Sequence, residues 1–335
     1  MEYFARCGSL SGFSDLVREH GQNPFDLLAQ AGLDKEVLEN PDLYVSYKQL
    51  IELFLYSADR CRLRDFGLRL GLSQGVGVFG ALAPLLFIQA SAGEAMDLVK
   101  RNLNFHAKGG NISSTIKDDL LEIAFEYEFH HQIDCRQNYQ LLIALISNCV
   151  NQLLGKVYNP VKVELTLSES YRTPLFDRAF NCPVAFNSNH NAIYFPASIL
   201  AEPICLNSAE RKIISESWRR NWLLTDEGRD LYEDTEKAIT ALLPTGECNL
   251  ETVAKIVGIH PRNLQEKLKA SDASYGKVLQ SVRKSLANQH LTYGSTNLSN
   301  LALDLGYNDL AAFSRAFKKW FGISPKAWQK KNNIL

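Results

Sequence analysis

NLETVAKIVGIHPRNLQEKLKAS (residues 249–271) and NLSNLALDLGYNDLAAFSRAFKKWFG (297–322) are one pattern written twice. Asn249, Leu250, Val253, Ala254, Val257 and Gly258 fall on Asn297, Leu298, Leu301, Ala302, Leu305 and Gly306, each 48 positions later. Apolar residues at i, i+3, i+4 and i+7 make one stripe on a short helix, and the glycine ends it in a left-handed turn. A second helix follows at once. Pro261 suits the first position of that helix in the first copy, and Asn308 is the expected N-cap in the second, after a longer turn. Leu264 and Leu268 point inward in one copy, and Phe313, Phe317 and Trp320 in the other. Each copy is therefore a helix-turn-helix.

The outward face of each second helix decides the chemistry. Arg262, Gln265, Glu266 and Lys269 share one such face, and Ala311, Ser314, Arg315 and Lys318 share the other. Arg reads guanine, Gln reads adenine, Glu accepts from cytosine, and small apolar groups meet the thymine methyl. One such face would be an ordinary solvated surface; two in tandem, each behind a turn glycine, point to double-stranded DNA. The intervening SYGKVLQSVRKSLANQHLTYG (274–294) reads as a single helix of about 20 residues, roughly 30 Å long. That length approaches the ~34 Å between successive major-groove faces on one side of B-DNA.

The stretch LALDLGYNDLAAFSRAFKKWFGISPKAW (301–328) resembles the DNA-binding domain of the AraC/XylS family of bacterial transcription regulators. The family signature stands here as Gly306, Phe313, Arg315, Phe317, Lys318, Lys319, Gly322, Pro325 and Trp328. The resemblance implies base-reading roles for Arg262, Gln265 and Glu266 in the first reader and for Leu310, Ala311, Ser314 and Arg315 in the second. Leu310 and Ala311 depart from the polar residues of members that hydrogen-bond bases there, and can offer only methyl contacts. Lys269, Lys318 and Lys319 are read as phosphate contacts. The resemblance further implies RNA polymerase as a partner, and activation more often than repression.

The charge balance agrees with a reader at one end. The chain of 335 residues carries a formal net charge of -1, yet residues 245–335 hold 13 Lys and Arg against 6 Asp and Glu, and the remainder 23 against 31. A basic end on an acidic body suits a DNA reader joined to a domain that does not bind DNA. The 46% hydrophobic and 10% aromatic content excludes a disordered scaffold. Seven scattered cysteines, none in a CxxC pair, suggest neither a disulfide framework nor a zinc site and fit a reducing cytoplasm. No leader is expected, and the apolar runs at 81–92 and 141–150 are too short to span a membrane.

Upstream, residues to about 73 read as short helices: one beginning at Phe13, one from Asn23-Pro24 to Ala31, one capped by Ser46 over YKQLIELFLYSADR (47–60), and a further piece at 63–74. Gly75, Gly77 and Gly80 match G-x-G-x-x-G, but a helix rather than a strand precedes them, so they read as a flexible turn opening a helix over 79–90 and not as a dinucleotide site. From Asn111 the period becomes two. NISSTI, a turn at Lys117-Asp118-Asp119, and LEIAFEYEF form a hairpin with Leu121, Ile123, Phe125, Tyr127 and Phe129 on its core face. QNYQLLIALISNCVNQLLG (137–155) is apolar on most sides and should lie centrally. VKVELTL is a strand, TPLFDRAF a helix, and PVAF and AIYF a second hairpin around 187–191.

Together these predict an α+β N-terminal effector domain with an antiparallel sheet, followed by an all-α C-terminal domain of two helix-turn-helix motifs joined by a long helix. The expected division is 1–205, a helical connector at 206–244 and the reader at 245–335. Residues 10–205, with Phe79-Gly80-Ala81-Leu82 and AIYFPASIL, resemble the arabinose-binding-type effector domain of one large branch of the same family. Ile213, Ile214, Trp218, Trp222 and Leu223 in the connector exceed what a tether needs, which suggests an interdomain or homodimer contact, with a plain linker helix as the alternative.

The function so read is a DNA-binding transcription regulator controlled by a small-molecule effector, not an enzyme. His106, Arg136 and Tyr139, polar groups in or beside apolar segments, are the effector-binding candidates. No motif requires a cofactor, and His130, His131 and Cys135 lack the further ligands a metal site would need. Two alternatives stay open: a regulator that works without a ligand, and a DNA-repair alkyl-transfer enzyme. The latter needs a thiolate beside a base, and neither Cys182 nor Cys205 has a neighbouring His.

Overall fold

The turn between the paired strands Gly110–Lys117 and Leu120–Tyr127 is made by Asp118 and Asp119, both left-handed (φ 50° and 61°). Two consecutive residues of positive φ give the twist that closes a two-residue hairpin, and Asp tolerates that region better than most side chains. The register, Ile112 opposite Phe125 and Ile116 opposite Leu121, follows from this turn. It puts Leu121, Ile123, Phe125 and Tyr127 on the buried face, with Phe129 beyond them also buried.

The computed structural model describes residues 3–332 apart from 42, 88, 205–229, 244, 245, 247 and 294–296. The chain divides into two compact units, Tyr3–Leu206 and Asn207–Leu335 with the first two residues. The strands of the first unit are β1 (Phe4–Arg6), β2 (Tyr44–Ser46), β3 (Ala107–Lys108), β4 (Gly110–Lys117), β5 (Leu120–Tyr127), β6 (Lys162–Glu164), β7 (Val184–Ala185) and β8 (Asn191–Pro196). Its helices are α1 (Phe13–Glu19), α2 (Pro24–Gln30), α3 (Glu36–Glu39), α4 (Tyr47–Arg60), α5 (Phe66–Ser73), α6 (Ala83–Phe87), α7 (Ala92–His106), α8 (Arg136–Leu154) and α9 (Pro174–Phe180).

The larger sheet runs β4-β5-β8-β6-β7, and a smaller one runs β2-β1-β3. Two features differ from the sequence expectation. β7 pairs in parallel with β6, and β8 pairs antiparallel with β5 and β6, so 183–186 and 192–195 form no hairpin. The smaller sheet lies partly within the region read as helices only. α4 occupies the expected 47–60, but Ser46 precedes it without a side-chain cap bond. The glycine segment does not open a long helix: Val76–Leu82 is two short 3-10 pieces joined by a kink at Gly80, followed by the five-residue α6. Its Gly80 has φ 57°, and a Cβ there would sit 2.2 Å from the Arg6 guanidinium.

α8 is the central helix. Gln137 to Leu141, Ile143, Ala144 and Leu145 are all buried in it. α5 crosses it at backbone distance, because Gly67 and Gly71 present no side chain: a Cβ on Gly67 would lie 1.9 Å from the Gln137 carbonyl oxygen. The Gly67 N–H donates to Gln137 Oε1 at 2.8 Å, so this close approach is hydrogen-bonded as well as packed.

The second unit contains α10 (Leu231–Leu242), α11 (Leu250–Val257), α12 (Pro261–Ala270), α13 (Tyr275–Tyr293), α14 (Leu298–Asp304), α15 (Leu310–Phe321) and α16 (Pro325–Asn332). The 207–224 segment, with Ile213, Ile214, Trp218, Trp222 and Leu223, lies outside the described residues, as does Cys205. α10 packs on α11 and α13, burying Ala238, Ile239 and Leu242.

Candidate DNA-reading surface and ligand cavity

The two copies of the repeat fold alike at their starts. The Asn249 side chain accepts from Thr252 N at 2.9 Å, and that of Asn297 from Ser299 N at 2.8 Å, each satisfying an orphan donor at a helix N-terminus. Gly258 (φ 78°) and Gly306 (φ 69°) make the left-handed turns. Three residues then separate α11 from α12, where Pro261 is the first helical residue and His260 the cap, accepting from Arg262 N. In the second copy the cap is Asp309, accepting from Ala312 N at 2.6 Å, and not Asn308. Either residue can cap; the turn ends one residue later than expected, so the carboxylate meets the N-terminal donors.

Leu264, Leu268, Phe313 and Phe317 are fully buried. Trp320 is only half-buried. The aromatic cluster is completed instead by Phe321 and by Trp328 of α16, with ring centroids 4.5 Å from Phe317 to Phe321 and 4.8 Å from Phe321 to Trp328. Opposite this core, Arg262, Gln265, Glu266 and Lys269 are exposed on α12. Leu310, Ala311, Arg315, Lys318 and Lys319 are exposed on α15, with Ser314 half-buried among them. Arg262 Nε donates to Glu266 Oε1 at 3.0 Å, a surface pair whose rupture costs little, so both groups are free to turn toward a base. α13, with 19 residues, spans about 28 Å between the two motifs.

Arg283 of α13 has a role that the sequence did not announce. Its guanidinium donates to the carbonyls of Leu305 and Gly306, each at 2.8 Å, and lies 4.5 Å from the Tyr307 ring centroid. A cation on the free carbonyls at the end of α14 satisfies acceptors and opposes the helix dipole. It thereby ties the second turn to the joining helix. Asp304, the last residue of α14, stands on the wrong side of that dipole, and burial pushes its carboxyl up to about 6.

A raised carboxyl pKa means that the folded state carries a cost when the group is ionised. The cost is present above pH 6 and disappears as pH falls through 6 towards the unfolded value near 4. Asp304→Asn is therefore expected to stabilise the chain at pH 7.5 by about 1–2 kcal/mol, after allowance for the group's partial exposure. The gain should vanish near pH 4 in denaturation series run at both values.

In the first unit a cavity of about 170 Å³ lies between α7, α8 and the inner face of the large sheet. α7 turns Met96, Val99 and Leu103 to it at helical spacing; α8 turns Leu142, Ile146 and Cys149; β4 and β5 add Ile112, Leu121 and Ile123. Several of these apolar side chains are only half-buried, although the helices and sheet around them form a core. His106 lines this cavity, and burial, helped by the nearby Arg6, lowers its pKa to about 3, so it is neutral there.

Arg136 and Tyr139 are elsewhere. They line a second, open and more polar groove with Thr166, Tyr171 and His190. Arg136 is already engaged in it, 3.1 Å from Asp134 Oδ2 and bonded to the Tyr171 hydroxyl. The three effector candidates are thus not one site. The apolar wall residues carried no chemical signal in the sequence, because a cavity-lining Leu and a core Leu have the same spacing.

Three thiols of the first unit, Cys135 buried and Cys149 and Cys182 half-buried, are held away from their reactive form. Burial pushes Cys135 and Cys149 up to about 12 and Cys182 up to about 11, away from the thiolate that alkyl transfer requires. No helix among the described residues is long and apolar enough to cross a membrane.

A unit bearing two helix-turn-helix motifs, on a chain whose other unit holds a partly open, mainly apolar cavity, defines a DNA-binding regulator with a ligand-binding domain. Comparison with known proteins gives the family. Residues 21–204 match the arabinose-binding domain of AraC transcription regulators and residues 253–331 a helix-turn-helix domain, so the chain belongs to the AraC family of transcription regulators. It is similar to the HTH-type transcriptional regulator VirS of Mycobacterium tuberculosis, 25% identical over 331 residues that cover 97% of this chain and 96% of that protein. It is also similar to the ornithine utilization regulator of Pseudomonas aeruginosa, 24% identical over 319 residues covering 94% and 93%. The crystal structure of transcriptional regulator CdpR from Pseudomonas aeruginosa aligns over 92% of this chain and 96% of that one, with 21% identity and a TM-score of 0.41.

Proposed function

We propose that this regulator activates transcription from a specific promoter site under control of a small molecule held in the N-terminal unit. The observation that carries the reading is the pair of exposed polar faces on α12 and α15, each on a helix anchored by buried apolar residues and joined by one long helix. Arg262, Gln265, Glu266 and Arg315 would read bases, Leu310, Ala311 and Ser314 would meet base edges and methyl groups, and Lys269, Lys318 and Lys319 would grip phosphates. In this reading the chain works in the cytoplasm, as residues 1–205, 206–244 and 245–335 in sequence, contacts RNA polymerase and pairs as a homodimer at the promoter.

Control follows from linkage. A ligand that prefers the DNA-competent conformation raises its population by the ratio of its affinities for the two conformations, and by no more.

Arg315→Ala tests the base-reading assignment. It is expected to weaken the specific site by about 1–3 kcal/mol, roughly 5- to 150-fold, and to relax preference at one base pair. Lys269→Ala should weaken all DNA about equally and reduce the salt slope. Titration of both variants against specific and scrambled duplexes separates the two roles. Unchanged specific affinity in Arg315→Ala would remove α15 from base reading.

A further inference from the structure

We infer that the effector is a neutral, mainly hydrocarbon molecule of about six to ten carbon atoms carrying a hydrogen-bond donor such as a hydroxyl, and not a sugar. The inference rests on the reading of the N-terminal unit as an effector domain and specifies what that unit takes.

The wall composition comes first. A sugar presents hydroxyls around its whole ring, and each one buried without a partner costs about 1–3 kcal/mol. Met96, Val99, Leu103, Leu142, Ile146 and Ile123 offer such groups nothing. They offer a hydrocarbon the surface it needs, at about 25 cal/mol per Å² removed from water. An apolar cavity of about 150 Å³ takes a benzene ring, and the cavity here, at about 170 Å³, has room for a molecule of that size.

Charge comes second. His106 is neutral at the wall. Lys100 also borders the cavity, but its Nζ donates to Ser114 Oγ at 2.9 Å, bridging α7 to β4. The Glu126 side chain is 67% exposed and 3.5 Å from His130 Nδ1. Lys100 keeps its charge in that bond, but it is only half-buried and Glu126 is exposed, so neither charged side chain of the described wall is fully shut away from water.

The third observation gives the donor. Gln74 and Asn138, only 2% and 3% exposed, belong to the wall. Gln74 Nε2 donates to the carbonyls of Ser9 and Ser11, both at 2.9 Å, which fixes the orientation of its amide. Its Oε1, and Oδ1 of Asn138, then remain as buried acceptors without a hydrogen-bond partner among the described residues. Buried acceptors are ordinarily paired, so a hydroxyl carried in by an otherwise apolar ligand answers the wall and one of the two bare oxygens.

The test uses the full chain and three probes: 1-octanol, p-cresol and arabinose. At about 100 times its Kd, at least one of the two alcohols should raise Tm by roughly 5–10 °C, and arabinose should leave it unchanged. Val99→Phe and Ile146→Phe each fill the cavity, so either variant that folds should lose the shift while keeping a Tm at or above that of the parent. A shift with arabinose alone, no shift with either alcohol, or an alcohol shift that persists in both filled variants would overturn the inference.

The same probes are then added to a titration of the selected DNA site. Binding of an alcohol without any change in DNA affinity would contradict effector control and leave the cavity chemistry standing. A ligand-dependent DNA affinity seen only with arabinose would do the reverse.

Discussion

Replacing Phe317 by Ala should destabilise the C-terminal unit by about 3–5 kcal/mol and abolish site-specific DNA binding at 37 °C. Phe317 is fully buried, with Phe313, Phe321 and Trp328 at centroid distances of 5.7, 4.5 and 5.8 Å. Truncation leaves a hole among three rings that belong to two helices, α15 and α16, and both lose their common anchor. The cost in DNA binding comes through geometry, because Arg315 lies two residues earlier on the same helix and its reach into a groove depends on where that helix is held. Urea denaturation followed by tryptophan fluorescence measures the first effect, since Trp320 and Trp328 both report on this region. A loss below about 1 kcal/mol would mean that the ring cluster does not support the second reader.

Gly67→Ala should be comparably damaging in the other unit, at about 3 kcal/mol or more. The added methyl would be driven to 1.9 Å from the Gln137 carbonyl oxygen and 2.7 Å from its carbonyl carbon. Those are backbone atoms of the central helix, so the clash cannot be relieved by a rotamer change. Separating the helices would also stretch the bond from Gly67 N to Gln137 Oε1 and open the packing beneath the cavity. Gly276→Ala is the control: nothing lies within 4 Å of a Cβ there, and an alanine near the start of α13 should be neutral or stabilise by up to about 1 kcal/mol. Equal losses from both substitutions would show that glycine content, rather than this crossing, sets the stability.

The reader was legible because its information is local. Asn, an apolar stripe and Gly recur within ten residues, and the caps, turns and buried faces of both motifs follow from side chains adjacent in sequence. The hairpin was legible for the same reason, its register being fixed by the Asp118-Asp119 turn. The N-terminal sheet was not. β1, β2 and β3 have two or three residues each, too short to show a period, and β1 finds β2 and β3 across some 40 and 100 intervening residues. The strand at 184–185 showed its alternation but not its partner, since periodicity says which face is buried and nothing about which neighbour is hydrogen-bonded. Asp309 and Asn308 are both good caps, so only the length of the turn decided between them.

The candidate sites divide along the same line. The proposed DNA-reading residues were numbered from helical spacing together with the family resemblance, and Arg283 escaped because its carbonyl partners lie 22 and 23 positions away. The cavity escaped because its walls are made of residue types that ordinarily fill a core. Polarity drew attention to His106, Arg136 and Tyr139, but polarity does not say which of them share a wall, and only His106 borders the apolar cavity.

The central claim is that two tandem helices read one DNA site. Its most direct test is selection of genomic fragments with the purified chain, followed by footprinting and titration of the recovered site at two salt concentrations. The account predicts a specific site with two protected blocks about one helical turn apart and a steep fall in affinity with salt. Binding that is weak, equally strong on scrambled duplexes and confined to a single block, with the alcohol probes present as well as absent, would contradict it.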